Sequence, residues 1–104
     1  MNNKFIQFQI NAPTKKEADK IQDALLKKRL IAGTCVMPSH SKYWWKGKIE
    51  QESYYIIYGF SIAKNKTKII QETKKYHSDE VQGIVFWEID ANKDFLEWIE
   101  ENTK

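Results

Sequence analysis

Apolar and polar residues alternate through residues 4–10, KFIQFQI, with Ile6, Phe8 and Ile10 on one side and Phe5 on the other. A period of two is that of a half-buried strand. The period then lengthens. Over residues 15–30, Ala18, Ile21, Leu25 and Leu26 share one face of a helix, and Lys16, Lys20 and Lys27 lie away from it. Thr14, with Glu17 three residues on, predicts a capping box at its start. Gly33 marks the handover to extended chain. Thr34 to Met37 read as strand, Pro38 and the Ser-His-Ser after it predict a bulge or irregular edge, and strand resumes at Tyr43 to Trp45. Lys46-Gly47-Lys48 supplies a turn, and residues 49–61 return antiparallel, which makes 34–61 one long hairpin. A second helix over 63–77 buries Ile69, Ile70, Thr73 and Tyr76. Residues 83–89 form a fourth strand, and Asn92 caps a short last helix carrying Phe95, Leu96, Trp98 and Ile99.

The order β-α-β-β-α-β with a terminal helix predicts an α+β, ferredoxin-like sandwich with two helices on one face of a four-stranded sheet. Residues 43–60, YWWKGKIEQESYYIIYGF, then raise a difficulty, because seven of these eighteen residues are aromatic. Strand neighbours point to opposite faces, so large apolar groups fall on both sides of the sheet. The helix pair covers one side only. An uncovered apolar face marks a partner surface, and an oligomer or a ligand on the open face is expected. Trp44 and Trp45 face opposite ways, so one can enter the core and the other must meet solvent or a neighbour, and the enrichment of Trp in interface anchors favours the neighbour.

Composition narrows the class. The chain has 104 residues, 41% of them hydrophobic, which suits a single packed domain over 1–104. No apolar run is long enough for a membrane helix, and the amino terminus lacks a secretory h-region, so a cytoplasmic protein without membrane contact is expected. One cysteine, Cys35, excludes an intramolecular disulfide and, within one chain, zinc sites of the Cys₄ or Cys₂His₂ kind. A net charge of +3 permits anionic partners without demanding them. There is no glycine-rich phosphate loop and no Gly-x-Ser-x-Gly elbow, and a Cys35–His77 nucleophilic pair has no supporting signature, so no enzyme is expected.

Four segments resemble a known family. YWWKGKIE at 43–50, LIAGTCV at 30–36, YHSDEV at 76–81 and ANKDFLEWIEENT at 91–103 are similar, in order, to motifs of the CutA divalent-cation tolerance proteins. The resemblance spans nearly the whole chain. It implies a tight homotrimer in which long hairpins reach neighbouring subunits, an architecture similar to the PII signalling proteins, and a role in divalent-metal tolerance with copper or another divalent cation as ligand. It also implies an interface built with Tyr43, Trp44, Trp45, Tyr55 and Ile57. The chain departs from the family pattern in three places. The segment from Cys35 to Tyr43 is shorter, Ser78 and Asp79 replace a Pro-Tyr pair, and Phe60 and Ser61 stand where the family ends its third strand with Lys-Thr. The last change removes a cation beside the inter-subunit cleft.

The metal-ligand candidates are Cys35, His77 and Glu80. Cys35 and Met37 lie at i and i+2 on one strand face, and thiolate and thioether are soft donors suited to Cu(I). The residues favour the plainer reading that both pack in the core, since free cysteine is among the most buried residue types. His77 and Glu80 follow the second helix, where a histidine serves either as a cap or as a ligand with the nearby carboxylates. His40 reads as surface. Two other functions fit the element order. One is an RNA-recognition domain stacking bases on Tyr54, Tyr55 and Tyr58, although the third strand lacks the Lys/Arg-Gly-aromatic-Gly opening of the corresponding motif and no nucleic-acid partner is expected. The other is a PII-like module whose cleft takes a small anion or nucleotide. The lysines of the second helix read as a solvated face or as phosphate contacts.

Overall fold

In a computed structural model that describes residues 4–104, the predicted order of elements is present. β1 (Phe5–Ala12), α1 (Lys15–Lys27), β2 (Gly33–Trp45), β3 (Lys48–Ile62), a 3₁₀ turn (Ala63–Asn65), α2 (Lys66–Lys74), β4 (Ile84–Glu88) and α3 (Lys93–Asn102) follow one another. The first three residues, read above for a leader, lie outside this range. The sheet order is β2-β3-β1-β4, and every neighbouring pair is antiparallel.

α1 starts as its capping residues require: the Glu17 backbone N–H donates to Thr14 Oγ1 at 3.1 Å. The Glu17 carboxylate does not complete the box on the Thr14 backbone. Its Oε2 accepts the Thr14 hydroxyl at 3.0 Å, and its Oε1 accepts the Ser78 backbone N–H at 2.6 Å. The helix ends at Lys27, earlier than its apolar stripe suggests, because Arg29 turns left-handed at φ 59° and the Leu30 N–H bonds back to the Leu25 carbonyl. Asn92 stands at the start of α3, but its side chain makes no capping bond.

The irregular edge expected at Pro38 is absent. β2 pairs with β3 without interruption from Gly33↔Phe60 to Trp45↔Lys48, with Pro38 opposite Tyr55. The sheet order explains this: β2 is an edge strand, where a residue without an N–H is tolerated. Lys46 and Gly47 close the hairpin with φ of 49° and 79°, the doubly positive pair that a two-residue hairpin turn needs. β1 pairs with β3 only from Tyr55 onward, so the hairpin projects beyond the rest and the molecule measures 46 × 24 × 21 Å.

Two cores lie on opposite faces of the sheet. Phe8, Ile10 and Ile57 pack beneath Ala18, Ile21 and Leu25 of α1 and Ile69 of α2. The second core is smaller: α3 sets Ile99 on Phe5 and Ile62, with Phe60 and Phe95 beside them. The terminal helix thus covers one end of the face that the helix pair leaves open. Gly59 is needed where the sheet meets the larger core, since a Cβ there would run into the Phe8 ring and lie 2.7 Å from the Gly33 carbonyl oxygen.

Candidate functional site

The projecting hairpin and the loop after α2 enclose a cleft of about 330 Å³. Tyr43 and Tyr54 share one hairpin face, with rings edge-to-face at 6.1 Å. The Tyr54 hydroxyl donates to Asp79 Oδ2 at 3.1 Å. That uses its only proton, so the Tyr43 hydroxyl, 3.3 Å away, donates to Tyr54. Burial raises the Tyr54 phenol above its ordinary range, and the Tyr43 and Asp79 hydrogen bonds raise it further. At the rim, Lys46 pairs with Glu80 at 3.7 Å and stands 5.5 Å from the centre of the Trp45 ring. Both side chains of that ion pair are exposed, so it contributes little stability.

His77 fixes the loop that carries Asp79. One ring nitrogen, Nδ1, accepts the Asp79 backbone N–H at 3.2 Å, and the other, Nε2, lies 2.6 Å from the Asn11 carbonyl oxygen. This pattern assigns a neutral ring with its proton on Nε2. Both nitrogens are engaged, and neither offers a lone pair to a metal. Glu17 holds the same loop through Ser78. Burial pushes the Glu17 carboxyl up, but the Ser78 and Thr14 hydrogen bonds together outweigh it and hold the group below the usual carboxylate range.

The three metal-ligand candidates are not brought together. Cys35 is exposed on the open sheet face, in register with Tyr58 and, beyond it, Gln9 of β1. Two strand spacings, about 10 Å, separate it from β1, where His77 is anchored. Glu80 points to Lys46. Among the described residues no three His, Cys, Asp or Glu side chains are grouped to hold a metal ion. Cys35 and Met37 do share a face, and both are exposed, Met37 by 50%. Neither is a core residue.

The interface candidates divide. Trp44 is 72% exposed and stands opposite Ile49, itself 61% exposed, across the hairpin. Trp45 and Tyr43 are half-buried at the cleft. Ile57 is a correction: it is wholly buried within the chain, because its side of β3 is the one that the helix pair covers, and so it cannot meet a neighbour. Tyr55, on the same side, packs against that core. Ile49, Val85 and Trp87 were not foreseen as exposed apolar residues. The signal for Ile49 was its place opposite Trp44 across the turn. Of the tyrosines considered for base stacking, Tyr54 is buried and Tyr55 faces the core, so Tyr58 alone remains partly exposed on the open face.

Comparison with known proteins bears on this arrangement. A family model described as CutA1 divalent ion tolerance protein matches residues 6–102. The divalent-cation tolerance protein CutA of Archaeoglobus fulgidus is 32% identical over 96 residues, covering 91% of this chain and 94% of that one. The corresponding protein of Pyrococcus horikoshii is 33% identical over 97 residues, covering 88% and 91%. The solved structure of the Archaeoglobus protein, described as periplasmic, superposes with a TM-score of 0.93 at 31% identity, over 96% of this chain and 99% of that one. The chain therefore belongs to the CutA1 divalent ion tolerance protein family.

Proposed function

We propose that the chain acts in divalent-metal tolerance as a homotrimer that binds copper between its subunits, with the sulfurs of Cys35 and Met37 as donors. One observation carries this reading: the thiol and the thioether are both exposed, two residues apart, on the part of the sheet that α3 leaves uncovered. Soft sulfur donors favour Cu(I). Two donors per chain leave a site incomplete, and assembly would bring further sulfurs from the neighbours. The family's association with divalent-cation tolerance gives the metal its context. Support for assembly comes from the exposed Trp44–Ile49 pair at the hairpin and from Val85 and Trp87 on the open face. His77 takes no part, since both of its ring nitrogens are engaged by Asn11 and Asp79, and Glu80 stands at the cleft rim beside Lys46. The protein binds and does not turn over a substrate.

A single unpaired, exposed thiol suits the reducing cytoplasm, and cell fractionation decides between that location and the periplasm named for the Archaeoglobus relative. Isothermal titration with Cu(I) and Cu(II) tests the metal reading. Wild-type protein should bind copper and a Cys35→Ala/Met37→Leu variant should lose that binding. Equal titrations would remove the sulfur site.

A further inference from the structure

The charge of this chain is segregated. Residues 13–32 and 63–76, which carry the two packed helices, hold eleven lysine and arginine residues against four acids, a net charge of +7. The rest of the chain holds six against ten, a net charge of −4. A solvated helix face ordinarily mixes signs and pairs them at i,i+4. Around α2 it does not. Residues 63–76 contain five lysines and one acid, Glu72, whose side chain is only 6% exposed beneath Lys28 and Lys75. The charge that α2 shows to solvent is positive throughout. Lys64 in the 3₁₀ turn, Lys68 within α2 and Lys75 just past its end follow one another as a stripe along the helix. Lys28, from the end of α1, lines the same groove as Lys68 and Lys75.

Helix stability does not account for the stripe. Cations are favoured at a helix C-terminus and disfavoured at its N-terminus. Lys74 and Lys75 obey this rule. Lys64, Lys66 and Lys68 crowd the opposite end, where the first turn of α2 has no acidic residue and no side-chain cap. Lys64 and Lys68 have no ion-pair partner among the described residues. A local rule broken without a local gain points to function.

We propose that this stripe is a docking surface for inorganic polyphosphate. Ten of the eleven cations are lysines, compact point charges without the planar fork by which arginine reads a base edge. None of the residues lining the groove is aromatic, so nothing there stacks on a base. Such a surface recognises a ligand by its row of phosphate charges alone. A linear chain of phosphates lies along a linear stripe, and the negative remainder of the molecule turns the polyanion toward the helices.

Fluorescence anisotropy with labelled polyphosphate and the full chain tests this. Binding should appear at about 50 mM salt and weaken steeply as salt rises. The Lys64→Gln/Lys68→Gln variant should bind at least tenfold more weakly, with its slope of log affinity against log salt shallower by about 1.4, at about 0.7 per lost contact. Lys4→Gln/Lys93→Gln, with the same change in net charge, should bind as wild type. Acetylation footprinting of the wild-type protein gives a second readout, in which polyphosphate should protect Lys64 and Lys68. The proposal fails if there is no binding at low salt, if both variants behave alike, or if those two lysines are not protected. It fails equally if duplex DNA or phosphatidylserine vesicles bind more tightly at matched phosphate.

Discussion

The Tyr54 hydroxyl donates a hydrogen bond to a carboxylate, Asp79, that stands where the family pattern has a tyrosine. The pair joins the hairpin to the loop that His77 and Glu17 hold, so one residue's partner sets the position of a whole element. A hydrogen bond to a charged group contributes about 1.5–3 kcal/mol. Tyr54→Phe should therefore lower stability by about 2 kcal/mol in urea denaturation, and Asp79→Ala should add little further loss in the Tyr54→Phe background. Strictly additive losses would mean that the two groups do not act together. Sequence reasoning found both residues but not the contact, which joins positions 25 apart and leaves no mark in any local period. Phe60 taught the opposite lesson. Its substitution for lysine was visible at once, but its consequence was not. The ring packs edge-on against Phe95 at 4.9 Å, in a core that exists only because α3 crosses that face. Its neighbour Ser61 is buried and bonded to the Leu30 carbonyl.

At the level of elements, period and turn chemistry gave most of the fold. Alternation placed β1, the Thr14 cap placed α1, and Gly47 placed the hairpin turn. Pro38 misled because its meaning depends on whether its strand lies at an edge, which is a property of the sheet and not of the strand. Two carboxylates tie elements together and carry a pH dependence. Hydrogen bonds from Lys28 and Lys75 hold Glu72 below its ordinary value of 4.5, joining α1 to α2, and Glu17 joins α1 to the loop after α2. Both groups bind protons less readily folded than unfolded. Their contribution is complete above the unfolded value of 4.5 and is lost as pH falls through the lowered folded values. Urea midpoints measured from neutral pH down to about 3 should drop, and Glu17→Gln/Glu72→Gln should flatten that drop. A variant as acid-sensitive as wild type would contradict the assignment. Packing between β3 and β1 gives another test. Gly59→Ala forces a methyl into the Phe8 ring and should cost about 1–3 kcal/mol by chemical denaturation, and a neutral result would mean that the core yields there.

The whole molecule is two-sided. Its helical face is positive, and its sheet face is covered by α3 at one end only. The excess of aromatics in residues 43–60 is divided between two intramolecular cores, the cleft and the exposed hairpin. Sequence reasoning saw that one face lacked cover but could not apportion it, because apportioning needs the register of β3 against β1. That register sends Ile57 inward and leaves Cys35 and Met37 outward. The exposed sulfurs and the exposed hairpin pair make one account of assembly and metal together, and native mass spectrometry of copper-loaded protein reads both at once. Wild-type protein should run as a trimer that retains copper, and a Cys35→Ala/Met37→Leu variant should stay trimeric and retain none. A monomer, or a variant that keeps its copper, would contradict a sulfur site between subunits.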